Sequence, residues 1–187
     1  DANYVANGKL PNAQLLIGRG DAIVHLSSMG AAREGGAAAV DEASLFRIAS
    51  MTKPVTSVAF MQLVEDGKVA LDTPVHHVIP ELKGVGVYSG GGAGMAFATK
   101  PTAEPMRMID LLRHTSGLTY GFQNRSNVDA AYREGRIENW HGNLDLDGFA
   151  AALGKLPLEF SPGEAWNYSV STDLLGLVVQ RVAGMPL

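Results

Sequence analysis

The pattern of apolar and polar positions changes character along the chain. Ala13 to Gly18 and Ala22 to Met29 are two apolar runs on either side of Arg19-Gly20-Asp21. Runs of this length around a Gly-Asp pair predict an antiparallel hairpin. Ala31 to Ser44, rich in Ala and Gly, reads as irregular connection. From about Ser50 to Asp66 the spacing becomes helical. Met51, Val55, Val58, Ala59 and Leu63 fall on helical intervals, and Phe60, Met61 and Val64 add apolar side chains elsewhere. A helix apolar on most faces is expected to be buried on most faces. Pro54 lies near its start, where a missing backbone N–H costs least, and Gly67 is a suitable C-terminal stop.

Beyond this central helix, Asp72 to Leu82 contains Pro74 and Pro80 and predicts a turn-rich connector. Gly84 to Gly94 is dense in glycine but has neither GxGxxG nor a following GK[ST], so it reads as a mobile loop and not a phosphate cradle. Met106 to His114 predicts a short helix ending near Thr115-Ser116-Gly117. Val128 to Ile137 and Leu146 to Leu156 predict two more. Phe160 to Tyr168 is a loop containing Ser161-Pro162-Gly163, and a last helix is predicted over Ser171 to Ala183.

Composition adds mostly exclusions. With 187 residues, 46% hydrophobic and 18% charged, the chain suits a globular protein with a sizeable core. The net charge of −4 is mild, with no basic stripe, so nucleic acid is not an expected partner. The apolar stretch Val55 to Val64 is interrupted by Ser57 and Gln62 and is too short for a membrane span. The absence of cysteine excludes disulfides and thiol catalysis. It leaves the compartment, cytoplasmic or periplasmic, open. His76-His77 lacks helical metal-ligand spacing and no HExxH occurs, so no metal and no cofactor are expected.

The candidate chemistry starts at Ser50-Met51-Thr52-Lys53. Residues three apart on a helix share a side, so the Ser hydroxyl and Lys amine can face one cavity. A Ser at a helix N-terminus has a backbone N–H and a favourable dipole beside it for a developing oxyanion. A neutral Lys can accept the Ser proton, making a minimal nucleophile and base. The competing reading is an N-cap Ser with a solvated Lys. Tyr168, after a Pro-Gly turn and before a helix, could relay a proton beside that pair, or simply pack against Trp166. His114 ends an amphipathic helix, where a single His is more often structural. No Gly-x-Ser-x-Gly elbow exists, which argues against an α/β-hydrolase.

Four segments in order resemble one family. They are Phe46-Arg47-Ile48-Ala49-Ser50-Met51-Thr52-Lys53, then Leu63 to Asp72, then Leu111-Leu112-Arg113-His114-Thr115-Ser116-Gly117-Leu118, then Ser161 to Ser169. Together they resemble the class C β-lactamases and the family VIII carboxylesterases, which are penicillin-recognising serine hydrolases. The resemblance implies an α+β, β-lactamase-like fold, an antiparallel sheet flanked by helices with a helical region beside it. It also implies a two-step reaction in which Ser50 forms an acyl-enzyme while Lys53 and Tyr168 share the base and acid roles. Leu118, Tyr120, Phe122 and Trp166 are expected in the wall of the acyl pocket, with ordinary packing as the alternative for each.

Two departures from the family pattern matter. The second motif is usually Tyr-x-Asn, and here the third position is Val170. That removes an amide which typically contacts a β-lactam, and it shifts the expectation towards short acyl esters. The alternatives within the fold are a β-lactamase, a D-amino-acid peptidase or an acyltransferase. The second departure is length, because family members run to roughly twice this size and carry a third motif in their second half. Residues 1–49 are therefore expected to form the hairpin and its connection, and residues 50–187 a mainly helical region of the N-terminal portion. The chain is expected to be a fragment, or to be completed by a second chain that supplies the C-terminal half. Alone it is expected to lack part of the oxyanion hole. A reading from another class is a non-catalytic binding or assembly module, against which the joint presence of Ser50, Lys53 and Tyr168 argues.

Overall fold

The computed structural model describes residues 3–138 and 144–187. The chain divides into two compact units, Asp1–Ala49 and Ser50–Leu187.

The first unit is built on a hairpin. Strands β1 (Asn12–Arg19) and β2 (Ala22–Gly30) pair antiparallel, with Arg19 opposite Ala22. Gly20 takes the positive φ of +58° that a two-residue primed turn requires. A register shift between Ile17 and Gly18 marks a bulge. After β2 the chain folds back through an Ala31–Ala39 bridge. The Gln14 side chain ties the returning segment down by donating to the Asp41 carbonyl at 2.9 Å. Val40 is the one buried apolar side chain of this unit among the described residues. Leu15, Leu16, Ile17, Ile23 and Val24 stay exposed, so hydrogen bonding and not burial defines this hairpin.

The second unit is organised around two helices, α1 (Thr52–Glu65) and α5 (Ser171–Ala183), which pack together. Pro54 lies in the first turn of α1, where its missing N–H has no intrahelical partner to lose. The helix ends as its glycine suggests. Gly67 adopts φ +69°, and the Gly67 and Lys68 amides close on the carbonyls of Val64 and Leu63 at 3.0 and 2.9 Å. Helix α5 contributes Leu174, Leu175, Leu177 and Val178, all fully buried, against Phe60 and Leu63 of α1. Short helices α2 (Met108–Leu112), α3 (Asn127–Glu134) and α4 (Leu146–Leu153) complete the core with Met108, Leu111, Tyr132 and Leu153. Helices α3 and α4 are capped by Ser126 and Asp145, whose side chains accept the amides of Asp129 and Gly148.

At the far end of α5, Arg181 donates to both Glu81 carboxylate oxygens at 2.6 and 3.0 Å and to Asp147 at 2.5 Å. This fork fastens α5 to α4 and to the turn around Glu81. The Arg181 hydrogen bond, which outweighs burial, holds the Glu81 carboxyl below its ordinary value.

Two expectations need correction. Gly84 to Gly94 is not wholly a loop. Strands β3 (Val87–Gly92) and β4 (Met95–Lys100) form a second antiparallel hairpin there. Its glycines are what make it possible: Gly91 and Gly92 take φ near +86°, and a Cβ on Gly91 would stand 2.1 Å from the Ala96 carbonyl. Helix α1, in turn, buries only the face carrying Thr56, Phe60 and Leu63, while Met51, Val55 and Val58 are exposed. Among the described residues no helix is long and apolar enough to cross a membrane.

Candidate active site

Ser50 stands in a tight turn of 3-10 helix, Ala49–Met51, that leads into α1. Ala49 just before it has φ +46°, a left-handed backbone uncommon for a residue with a Cβ. The Ser50 hydroxyl is exposed there. Lys53 lies three residues on, half-buried, and donates from Nζ to Ser50 Oγ at 3.2 Å. Its other partner is distant in sequence, because Nζ also donates to Tyr120 Oη at 3.1 Å.

Tyr168 reaches the same point from the loop before α5. Its hydroxyl donates to Ser50 Oγ at 2.5 Å, and Lys53 Nζ lies 4.8 Å from its ring centre. The Leu111–Leu118 run explains how that loop is held. The amides of Glu159, Gly163 and Asn167 donate to the carbonyls of Gly117, Thr115 and His114 at 2.8, 2.8 and 2.9 Å. The Val170 amide closes the stitch on Thr119. Below it, the buried hydroxyls of Ser116, Ser169 and Ser171 form a chain with 2.7 Å links. Gly117 is required at the crossing. Its φ is +84°, and a Cβ there would lie 2.3 Å from the Phe160 carbonyl oxygen. His114 also serves this scaffold, since its Nδ1 accepts the Ser169 amide at 3.3 Å and its ring packs 4.9 Å from that of Tyr168. Burial first, and then the Lys53 charge, push the His114 imidazole below its ordinary value, which suits a neutral ring.

The two tyrosines beside Lys53 are driven in opposite directions. Burial raises the Tyr168 phenol, but its hydrogen bonds with Ser50 and Lys53 and the Lys53 charge outweigh it, leaving the group below its ordinary value. Burial, then the charge and hydrogen bond of Asp173, push the Tyr120 phenol far up. Tyr168 is therefore the phenol able to give up its proton, and Tyr120 the one that keeps it.

The structure thus brings Lys53 and Tyr168 each within hydrogen-bonding reach of Ser50 Oγ, with the Lys53 amine beside the Tyr168 ring. Of the four residues expected in an acyl-pocket wall, Phe122 and Trp166 are exposed aromatics flanking this group. Phe122 stacks on Tyr120 at 4.8 Å, and Trp166 lies 6.5 Å from Tyr168. Leu118 is 2% exposed, with its carbonyl accepting from Asn167, so its side chain belongs to the core. Tyr120 is 6% exposed and meets Lys53, a role that its sequence context did not signal. Asp173, which accepts the Tyr120 hydroxyl at 3.2 Å, was missed altogether. Its one sequence signal is an acid in the first turn of a helix, directly before the apolar run Leu174 to Val179. Beside Trp166 a cleft opens towards Tyr88, floored by Arg125, Glu159 and Asn167. These floor residues are bonded to one another, with Arg125 donating to Asn167 at 2.6 Å and Asn167 to Glu159 at 2.9 Å.

Comparison with known proteins identifies the family. The β-lactamase family profile matches residues 2–187. Protein Rv1367c of Mycobacterium tuberculosis is 37% identical over 180 residues, covering 96% of this chain and 43% of that protein. Esterase EstB of Burkholderia gladioli is 33% identical over 181 residues, with the same two shares. Among solved structures, EstCE1, described as a hydrolase with promiscuous acyltransferase activity, superposes with a TM-score of 0.81 at 24% identity. That match covers 99% of this chain and 45% of EstCE1, and it speaks to the fold. The chain spans less than half the length of the curated relatives it matches. It is the N-terminal portion of an α+β β-lactamase-like fold, and the chain belongs to the β-lactamase family.

Proposed function

We propose that this chain carries the nucleophile, base and acid of a carboxylesterase that acts on short acyl esters through an acyl-enzyme on Ser50. The observation that carries the reading is the contact of Ser50 Oγ with both Tyr168 Oη, at 2.5 Å, and Lys53 Nζ, at 3.2 Å. In acylation Ser50 Oγ bonds to the ester carbonyl carbon while its proton passes to the Tyr168 phenolate. The carbonyl electron pair moves onto oxygen, beside the Ser50 backbone N–H at the head of α1. Collapse of that intermediate breaks the bond to the alcohol oxygen, which leaves with the proton from Tyr168. Water then repeats the sequence on the acyl-enzyme and releases the acid. Lys53 donates to Ser50 Oγ throughout and supplies positive charge next to the Tyr168 ring.

Two observations favour an ester over a lactam. Val170, where the lactamases usually carry an amide, is 1% exposed and offers no polar contact to a substrate. EstB, at 33% identity, bears the name of an esterase. Phe122 and Trp166 are the exposed aromatics available to an acyl chain. Acyl transfer to an alcohol is the second reading, because an alcohol replacing water at the acyl-enzyme needs the same groups, and it is favoured by the description of EstCE1.

Treatment with a fluorophosphonate, followed by intact mass and peptide mapping, tests the proposal. One adduct on Ser50, absent from Ser50→Ala, is the expected result. Labelling elsewhere, or an unchanged adduct in Ser50→Ala, defeats it.

A further inference from the structure

The reaction as proposed leaves Asp173 without a task, although it is tied to the reacting groups. It lies in the first turn of α5, five residues after Tyr168, and accepts the Tyr120 hydroxyl at 3.2 Å across 53 positions of sequence. A phenol has one hydrogen to give. Tyr120 gives it to Asp173, so the side of Tyr120 Oη that faces Lys53 carries lone pairs, and Lys53 is the donor across that 3.1 Å contact. The direction of the whole chain of bonds is then fixed, from Lys53 to Tyr120 to Asp173.

Acidic residues in a first helical turn often serve only the helix dipole. Asp173 differs because its carboxylate is committed to a side chain from another segment. Asp173 is exposed at the surface, yet partial loss of hydration around its carboxylate pushes that group above its ordinary value, against the pull of Lys53 and Tyr120. The other charged or titratable groups around the chain of bonds are Tyr168, His114 and Glu138. Glu138 accepts the Gly121 amide and adds negative charge near both Tyr120 and Asp173.

We propose that Asp173, acting through Tyr120, is a positioning residue that aims the Lys53 amine at Ser50. By occupying the Tyr120 hydrogen it leaves Tyr120 as a fixed acceptor, which anchors one Lys53 N–H and directs another to Ser50 Oγ. The inference rests on the serine-hydrolase reading for its effect on rate, but not for the geometry itself.

The rate of Ser50 labelling by a fluorophosphonate tests the effect. Asp173→Ala and Tyr120→Phe are each expected to slow it by about 10–100-fold, the scale of a lost hydrogen bond to a charged group. Asp173→Asn keeps an acceptor oxygen and is expected to slow it less. If Asp173 works through Tyr120, the double variant is no slower than Tyr120→Phe alone. Multiplying losses, or parental labelling in Asp173→Ala, overturn the proposal. The geometry is tested separately in protein carrying 13C-labelled lysine, with the Lys53 ε-methylene signal assigned by its loss in Lys53→Arg. That signal is expected to shift in Asp173→Ala and Asp173→Asn, neither of which touches Lys53, and an unmoved signal overturns the proposal. A shifted signal in a protein that never labels at Ser50 upholds the positioning role and rejects the hydrolase reading instead.

Discussion

Lys53 touches two tyrosines, and in the proposed reaction their opposite environments divide the work at Ser50. Tyr120 is buried against an acid that keeps its proton in place, whereas Tyr168 is held by Ser50 and Lys53 and ionises more readily. A pH dependence follows. In the proposed reaction proton transfer from Ser50 needs the Tyr168 phenolate, and a depressed phenol reaches that form at lower pH than a free one. The labelling rate is therefore expected to rise with pH through an ionisation below the ordinary phenol value of about 10. Tyr168→Phe keeps the ring packing on His114 and Trp166 while removing that ionisation. It is expected to slow labelling by about 10²–10⁴-fold and to flatten the rising limb. A Tyr168→Phe variant with the parental pH profile would assign the base elsewhere. Sequence spacing put Ser50 and Lys53 on one side of a helix, and the four motifs singled out Tyr168. Nothing in spacing linked Lys53 to Tyr120 or Tyr120 to Asp173, because those contacts span 67 and 53 residues and arise only in the folded chain.

At the scale of elements, the segment from His114 to Thr119 acts as a backbone template for the loop that delivers Tyr168. The sequence marks it as a helix end with a Gly stop, which describes half of what it does. Gly117 is also where the chain passes against Phe160, and that requirement comes from a segment 43 residues away, beyond any local pattern. Gly117→Ala is expected to cost roughly 2–4 kcal/mol, combining a left-handed Ala with a backbone clash. Gly163→Ala is the matched control. It has the same positive φ, but its nearest obstacle is Asp110 Oδ1 at 4.0 Å, so only the backbone term of about 1–2 kcal/mol applies. Urea unfolding of the two variants reads the difference, and equal losses would show that the Phe160 contact yields freely. The helix over Ser171–Ala183 was legible because an apolar run, Leu174 to Val179, lies between a polar start and a Gly stop at Gly184. The β3–β4 hairpin was not, because glycines at 90, 91, 92 and 94 erase the alternation that identifies a strand, even though they supply its bulges.

For the whole molecule, the decisive mismatch lies between apolar pattern and burial. Helix α1 is apolar on several faces, yet the helical unit covers only one of them. Met51, Val55 and Val58 are 72%, 64% and 60% exposed. The hairpin unit leaves Leu16, Ile17, Ile23 and Val24 exposed as well, and a two-stranded hairpin has little stability of its own. Relatives that match this chain extend to more than twice its length, so in them additional polypeptide accompanies the matched region. Exposed apolar side chains in such number on either unit favour association. The 187-residue polypeptide produced by itself is therefore expected to bind the dye ANS and to associate as its concentration rises. Val55→Gln with Val58→Gln should reduce both effects without loss of helical content, since neither side chain touches the α1–α5 core. Sedimentation velocity and ANS titration together separate the possible causes. A parent that stays monomeric and binds no dye would mean that these side chains are covered within one chain. Dye binding unchanged by the two substitutions would place the sticky surface on the hairpin instead, where Leu16→Thr and Ile23→Thr are the substitutions expected to remove it.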